Sequence, residues 1–232
     1  MSSFKSALAA ASILLALTAC QKKTEPQAQA QAAPDSQASS PAASQGATAA
    51  APTAPTEVDP EVAKRKAAME FALAEQKIAD EPLGQWAVSA KASSTFASGT
   101  DEKQGYQPWQ ATGAPNVTRY SDSTESWASK EQDKGIEWLE VGFAKAVHAT
   151  ELRIRQSNAP GAIIKVELLD DKGGKHAIFS GVDETSYPPQ TITWFTAKTA
   201  KTDYLVKGAL ITLATNAVSG WNEIDAVQLL GE

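Results

Sequence analysis

From Gln85 to Glu232 apolar and polar residues alternate with a period of two over several short runs. In Ile136-Glu137-Trp138-Leu139-Glu140-Val141-Gly142-Phe143 the residues Leu139, Val141 and Phe143 fall on one face. Across Thr150–Gln156, Leu152 and Ile154 point one way and Glu151, Arg153 and Arg155 the other. Ile164, Val166 and Leu168 repeat the pattern before Asp170-Asp171-Lys172-Gly173-Gly174, which carries the glycines of a hairpin turn. Further runs at His176–Phe179, Thr191–Phe195, Ala209–Ala214 and Ile224–Leu230 bring the total to about seven or eight strands. No long helical period interrupts them, so the pattern predicts an all-β, antiparallel sandwich over 85–232 rather than an α/β sheet.

Upstream the period changes. Asp59 stands where an N-cap belongs, Pro60 at the first helical position and Glu61 in the first turn, while Pro82 and Gly84 end the segment. Ala63–Ala79 holds strong helix formers and neither Gly nor Pro. One short helix over 58–80 is therefore expected. Its apolar residues Val62, Met69, Leu73, Phe71 and Ile78 form no single clean stripe. A helix packed on the following domain is favoured over a free spacer or a coiled coil.

Residues 20–57 contrast with both. From Gln21 to Thr56 there is no Leu, Ile, Val or aromatic residue, and Lys22, Lys23, Glu25 and Asp35 are the only charges. Such an Ala/Gln/Ser/Pro-rich stretch buries nothing that would offset the entropy of ordering it. It reads as a flexible tether, with a reach of about 5–6 Å times the square root of its residue number. Before it, residues 1–19 have the form of an export signal: Lys5 supplies the positive start, and Ala7–Leu17 is a short apolar run. That run is shorter than the roughly 20 residues a membrane-spanning helix needs.

Composition narrows the chemistry. The net charge is −6 with basic residues dispersed, which argues against nucleic acid as a partner. Two histidines, His148 and His176, do not make a His-based metal site, and His148 at a strand start near Glu151 reads as structural. Cys20 is the only cysteine, so the folded part has neither a disulfide nor a thiol nucleophile. No Gly-x-Ser-x-Gly elbow or phosphate-cradling glycine loop occurs.

Two resemblances add to this reading. Leu17-Thr18-Ala19-Cys20 resembles the lipobox of bacterial lipoproteins. This implies cleavage before Cys20 and acylation of its thiol (a palmitate-type chain) and new amino group, a multi-chain anchor. Gln21 in place of Asp then points to the outer rather than the inner membrane of a bacterial envelope. Within 85–232, Ala92-Ser93-Ser94, Gln110-Ala111-Thr112-Gly113-Ala114-Pro115-Asn116, Ser126-Trp127-Ala128, Glu137–Val141, Pro160-Gly161-Ala162 before Lys165–Leu168, and Gly220-Trp221-Asn222-Glu223-Ile224-Asp225-Ala226-Val227 occur in one order. In that order they resemble the galactose-binding-like jelly roll of discoidin and coagulation factor C-type domains.

The second resemblance implies pairing of the first and last strands, and ligand loops at one end of the sandwich. It also implies a structural Ca2+ held by Glu223, the Ala111 carbonyl, Asn116, Asp122 and Ser123. The chain has Gly113-Ala114-Pro115-Asn116 where that family has an Asp-Gly-Asp turn. The alternative is that Glu223 and Asp225 hydrogen-bond the loop with no metal. For a ligand, the loop aromatics Tyr106, Trp109 and Trp221, beside Arg155, Asn158 and Asn222, suit a sugar ring by stacking and hydrogen bonding. Trp127 and Trp138 read as core, and Arg153 and Arg155 as a solvated outer face. The expectation is thus a membrane-anchored, non-catalytic binding module for a glycan or protein partner. A structural or assembly lipoprotein without a small ligand is the alternative, and a hydrolase of unknown mechanism a third.

Overall fold

The computed structural model describes residues 59–232. The export signal over 1–19, Cys20 and the tether over 20–57 lie outside the described residues. Helix α1 (Pro60–Ala79) begins as its sequence dictates: the Asp59 carboxylate accepts from the Glu61 amide at 2.9 Å, and Pro60 sits where its missing N–H costs nothing. Eight strands follow: β1 (Gly84–Ala92), β2 (Ile136–Val147), β3 (Ala149–Asn158), β4 (Ile163–Asp170), β5 (Lys175–Ser180), β6 (Thr193–Lys198), β7 (Val206–Ala214) and β8 (Glu223–Gly231). Every pairing is antiparallel, in the order β5-β4-β7-β2-β1-β8-β3-β6.

Strand β1 is the corner that makes this continuous order a sandwich. Gly84–Trp86 pairs with β8, the register slips between Ala87 and Ser89, and the rest of the strand pairs with β2. First and last strands therefore join, with Gly84 opposite Leu230. At the two free edges, Phe179 of β5 meets Phe195 of β6 edge-on at 4.9 Å. Between the layers lie Leu139, Val141 and Phe143 with Leu152, Ile154, Val166, Leu168, Ile211 and Leu229, all essentially inaccessible. Each such side chain contributes roughly 1.5–3 kcal/mol of burial free energy.

Two core expectations are corrected. The register of β4 slips between Ile163 and Lys165, which turns Ile163 inward and leaves Ile164 only half-buried. Trp138 stands next to Leu139 and so faces the other way; it is half-buried on the outer face of β2. Trp127 is fully buried.

The helix meets the outer face of β8, β3 and β6 through its C-terminal half. The Trp194 indole donates to Glu75, and the Gln228 amide donates to the Ile78 carbonyl at 2.9 Å. Gly84 makes room for Gln228, whose nitrogen would lie 2.5 Å from a Cβ at that position. Val62, Met69 and Leu73 along the helix are exposed. Among the described residues no helix is long and apolar enough to cross a membrane.

Candidate functional site

One end of the sandwich gathers the long loop 93–135 with 159–162, 181–192 and 215–222, as the registers require. Trp127 fastens the long loop to β8: it exchanges backbone hydrogen bonds with Ile224 at 2.9 and 3.1 Å, and its indole donates to the Ser94 carbonyl at 3.0 Å. Tyr106 bridges to the same residue with φ +66, a conformation a bulky side chain adopts only when its surroundings enforce it. Thr95 Oγ1 bonds the Tyr106 carbonyl at 2.7 Å, and the Tyr106 amide donates to Thr124 at 3.2 Å. The phenol is thereby aimed at Asp122, to which it donates at 2.6 Å. That hydrogen bond, with burial, pushes the phenol up to about 12.

Asp122 faces Glu223. Glu223 is buried; its Oε2 accepts from the Ser123 amide at 3.2 Å, while Oε1 has no hydrogen-bond partner. Burial, and then the neighbouring Asp122 carboxylate, push the Glu223 carboxyl up to about 9. Behind it the Ser126 and Ser157 hydroxyls share a hydrogen bond of 2.6 Å. Of the five residues in the Ca2+ set, Asp122, Ser123 and Glu223 thus come together. Ala111 is buried in the core, and the exposed Asn116 offers its amide to Asp225 at 3.4 Å. Among the described residues no group of three or more His, Cys, Asp or Glu converges as a metal site. The orphaned Glu223 Oε1 beside Asp122 still fits a cation, provided carbonyls and water complete the six to eight oxygens Ca2+ takes.

Arg155 is not on a solvated face, contrary to the expectation from the sequence. It points away from the core, but helix α1 and the loop around Val117 cover it, leaving its side chain 4% exposed. Its guanidinium donates to the Val117 carbonyl at 2.9 Å, pairs with Asp225, and reaches Glu75 of α1 at 2.8 Å. Arg153 is covered likewise and bonds Gln228 at 3.1 Å. Arg155 is therefore a tie between helix, loop and sandwich, unavailable to a ligand from outside.

The aromatic candidates separate. The Trp221 indole donates to the Ser129 carbonyl at 3.0 Å, and its ring meets Phe96 edge-on at 5.1 Å; Phe96 in turn meets Tyr106 at 5.1 Å. Asn222 is buried and donates to the Ala159 carbonyl at 2.7 Å. Half-buried Asn158 stands opposite Glu223 in register. Trp221 and Asn222 thus hold loops to the sandwich. Phe96 is exposed and borders a depression of about 410 Å³ with Tyr106, Gln104 and Thr124. The sequence pattern gave no reason to single it out, because a lone Phe in a polar loop has no period.

Trp109 stands elsewhere. It lies on the short 3-10 turn Pro108–Ala111, is 39% exposed, and overhangs a groove of about 680 Å³ along the outer side of β1. Val88, Ser93, Glu102 and Gln107 line that groove with it. The Lys103 ammonium sits 5.5 Å from the indole centre.

Residues 75–232 match the family model described as Pappalysin-1, SD scarf domain, C-terminal. No curated protein matches the chain. Similar solved structures include the chitosan-binding module 1 derived from a chitosanase/glucanase of Paenibacillus sp. IK-5, at 15% identity and TM-score 0.40, covering 62% of this chain and 94% of that one. Another is the CBM32 of AlyQ in complex with 4,5-unsaturated mannuronic acid, at 16% and 0.41, covering 63% and 97%. A third is CpGH89CBM32-4 of Clostridium perfringens in complex with GlcNAc-α-1,4-galactose, at 12% and 0.43, covering 62% and 89%.

Proposed function

The chain belongs to the family of the pappalysin-1 C-terminal SD scarf domain, and from that premise we propose that it is an envelope lipoprotein whose sandwich is a non-catalytic glycan-binding module. The observation that carries the reading is Trp109, an exposed indole over a concave, hydroxyl- and amide-lined surface. An aromatic face supplies stacking to a sugar ring, and Ser93, Gln107 and Glu102 supply hydrogen bonds to its hydroxyls. Acylation at Cys20 would hold the chain to the membrane, outer rather than inner, with residues 20–57 as the tether. Asp122 and Glu223 would hold Ca2+, which here would neutralise the buried Glu223 carboxylate and its exposed neighbour Asp122 rather than take part in a reaction.

A glycan array probed with the detergent-solubilised full chain tests this, with and without chelator. Trp109→Ala is expected to weaken binding at least about tenfold, equivalent to about 1.4 kcal/mol. Undiminished binding by that variant would remove Trp109 from the site. In cells fed an alkyne-tagged fatty acid, the parent chain should be labelled and sediment with membranes, whereas Cys20→Ser should do neither. Persistent labelling of Cys20→Ser would end the lipoprotein reading.

The second reading, an assembly lipoprotein that docks another protein, has one observation in its favour: Val62, Met69 and Leu73 stand exposed on α1. An array with no glycan signal under either condition would shift the weight to it.

A further inference from the structure

The outer face of the layer containing β1, β2, β7 and β4 has a low row in which two of four positions are glycine. On β2, Leu139, Val141 and Phe143 fill the core, so Glu140 and Gly142 face out. The register sets Gly142 beside Ser89 on one side and Gly208 on the other, and Gly208 beside Leu169. Ser89, Gly142, Gly208 and Leu169 therefore form one line across four strands. Lys91 and Glu140 of the adjacent line form one wall, and Lys207 with the Asp170 turn forms the other. The result is a trench of about 460 Å³. Three interstrand spacings make it about 14 Å long, a path for about three pyranose rings. It shares Ser89, Ala90 and Lys91 with the groove under Trp109, so the two run into each other.

The chemistry of the trench selects its occupant. Lys91 pairs with Glu140 at 2.9 Å, and Lys207 donates to the Ala144 carbonyl at 2.8 Å. Asp170 accepts from the Lys172 and Gly174 amides at 2.9 and 2.7 Å and bonds His176 at 2.8 Å. The two cations Lys91 and Lys207 and the two carboxylates Glu140 and Asp170 balance along the trench, so it presents no net charge to an ionic ligand. The trench runs across the strands: β2, β7 and β4 are paired on both sides, and the Ser89–Lys91 stretch of β1, paired only with β2, is crossed at its free side instead of followed. A peptide lying here would gain no main-chain ladder. A sugar chain needs none, since ring faces rest on a flat floor and hydroxyls reach the walls.

We propose that the trench extends the Trp109 groove, and that the ligand is an uncharged linear oligosaccharide laid across the sheet over several consecutive rings, not one terminal sugar. The proposal rests on the glycan reading of Trp109. Titration calorimetry of the full chain with β-1,4-linked N-acetylglucosamine oligomers of one to six units tests both. Affinity should climb with length, by at least tenfold from dimer to hexamer. Lys207→Trp, which fills the trench from an exposed position, should bring the hexamer down to the affinity of the dimer and leave the dimer unchanged. Leu169→Phe should do the same from the floor. Trp109→Ala should weaken every length.

Length-independent affinity, or a hexamer indifferent to both filling variants, overturns the trench while Trp109→Ala still registers the groove. Binding that survives Trp109→Ala at all lengths overturns the groove reading itself. No binding at any length overturns the uncharged-chain assignment.

Discussion

Arg155→Ala is expected to lower the unfolding free energy by about 3–5 kcal/mol, because it leaves a buried carboxylate without its countercharge. In a unit of this size that corresponds to a fall of about 10 °C in Tm. The Asp225 side chain is fully inaccessible and the Arg155 side chain nearly so. Besides Arg155, Asp225 has only the Asn116 and Val117 amides, at 3.4 and 3.5 Å, too long to replace a charged donor. The same deletion strands the Val117 carbonyl and frees Glu75, so loop and helix loosen together. Urea unfolding followed by tryptophan fluorescence reads both effects, since the Trp194 ring lies 5.9 Å from the guanidinium. The double variant Arg155→Met with Asp225→Leu should recover more than half of the loss, as replacing both charges by apolar groups removes the desolvation penalty. A loss below about 1 kcal/mol in Arg155→Ala would show that the tie does not hold the unit together.

Arg155 marks where the sequence stops being informative. Alternation along β3 assigns Arg155 correctly to the face opposite Leu152 and Ile154. It carries no information on whether that face meets water. The cover comes from Glu75 and from Val117, 80 and 38 positions away, and no local period encodes that encounter. Trp138 fails for the opposite reason: its parity relative to Leu139 was visible, and size alone suggested the core. Ile163 and Ile164 differ by a register slip, which depends on the partner strand β7. The helix start, by contrast, is written in Asp59-Pro60-Glu61, because a cap is satisfied by its own neighbours. The candidate site divides along the same line. Tyr106, Asp122 and Glu223 were nameable as residues, but their meeting is made by Trp127 bridging to β8. Residue type groups Trp109 with Trp221, and the fold separates them.

Glu223 gives a prediction whose sign is fixed by burial. Without a cation its carboxyl titrates at about 9, against 4.5 for an unburied Glu. The folded state therefore keeps a proton that the unfolded chain has lost through most of the range between those values. The contribution is complete below about pH 4.5 and disappears as pH rises toward 9, at a limiting slope of about 1.4 kcal/mol per pH unit. In chelator, the parent chain should lose a few kcal/mol of stability between pH 5 and pH 8.

Glu223→Gln keeps the shape, cannot ionise, and should flatten that slope, leaving it more stable than the parent at pH 8 by about 2 kcal/mol. Tyr106 titrates too high to contribute in this window. The difference between parent and Glu223→Gln isolates the carboxyl from other groups. If Asp122 and Glu223 hold Ca2+, millimolar Ca2+ at pH 8 should restore the parent and leave Glu223→Gln unmoved, because a cation displaces the proton and takes both carboxylates as ligands. Urea midpoints at pH 5, 6, 7 and 8, with chelator and with Ca2+, supply the comparison. Parallel pH profiles for parent and variant would mean that Glu223 does not carry the proton, and an equal response of both to Ca2+ would place any bound cation elsewhere.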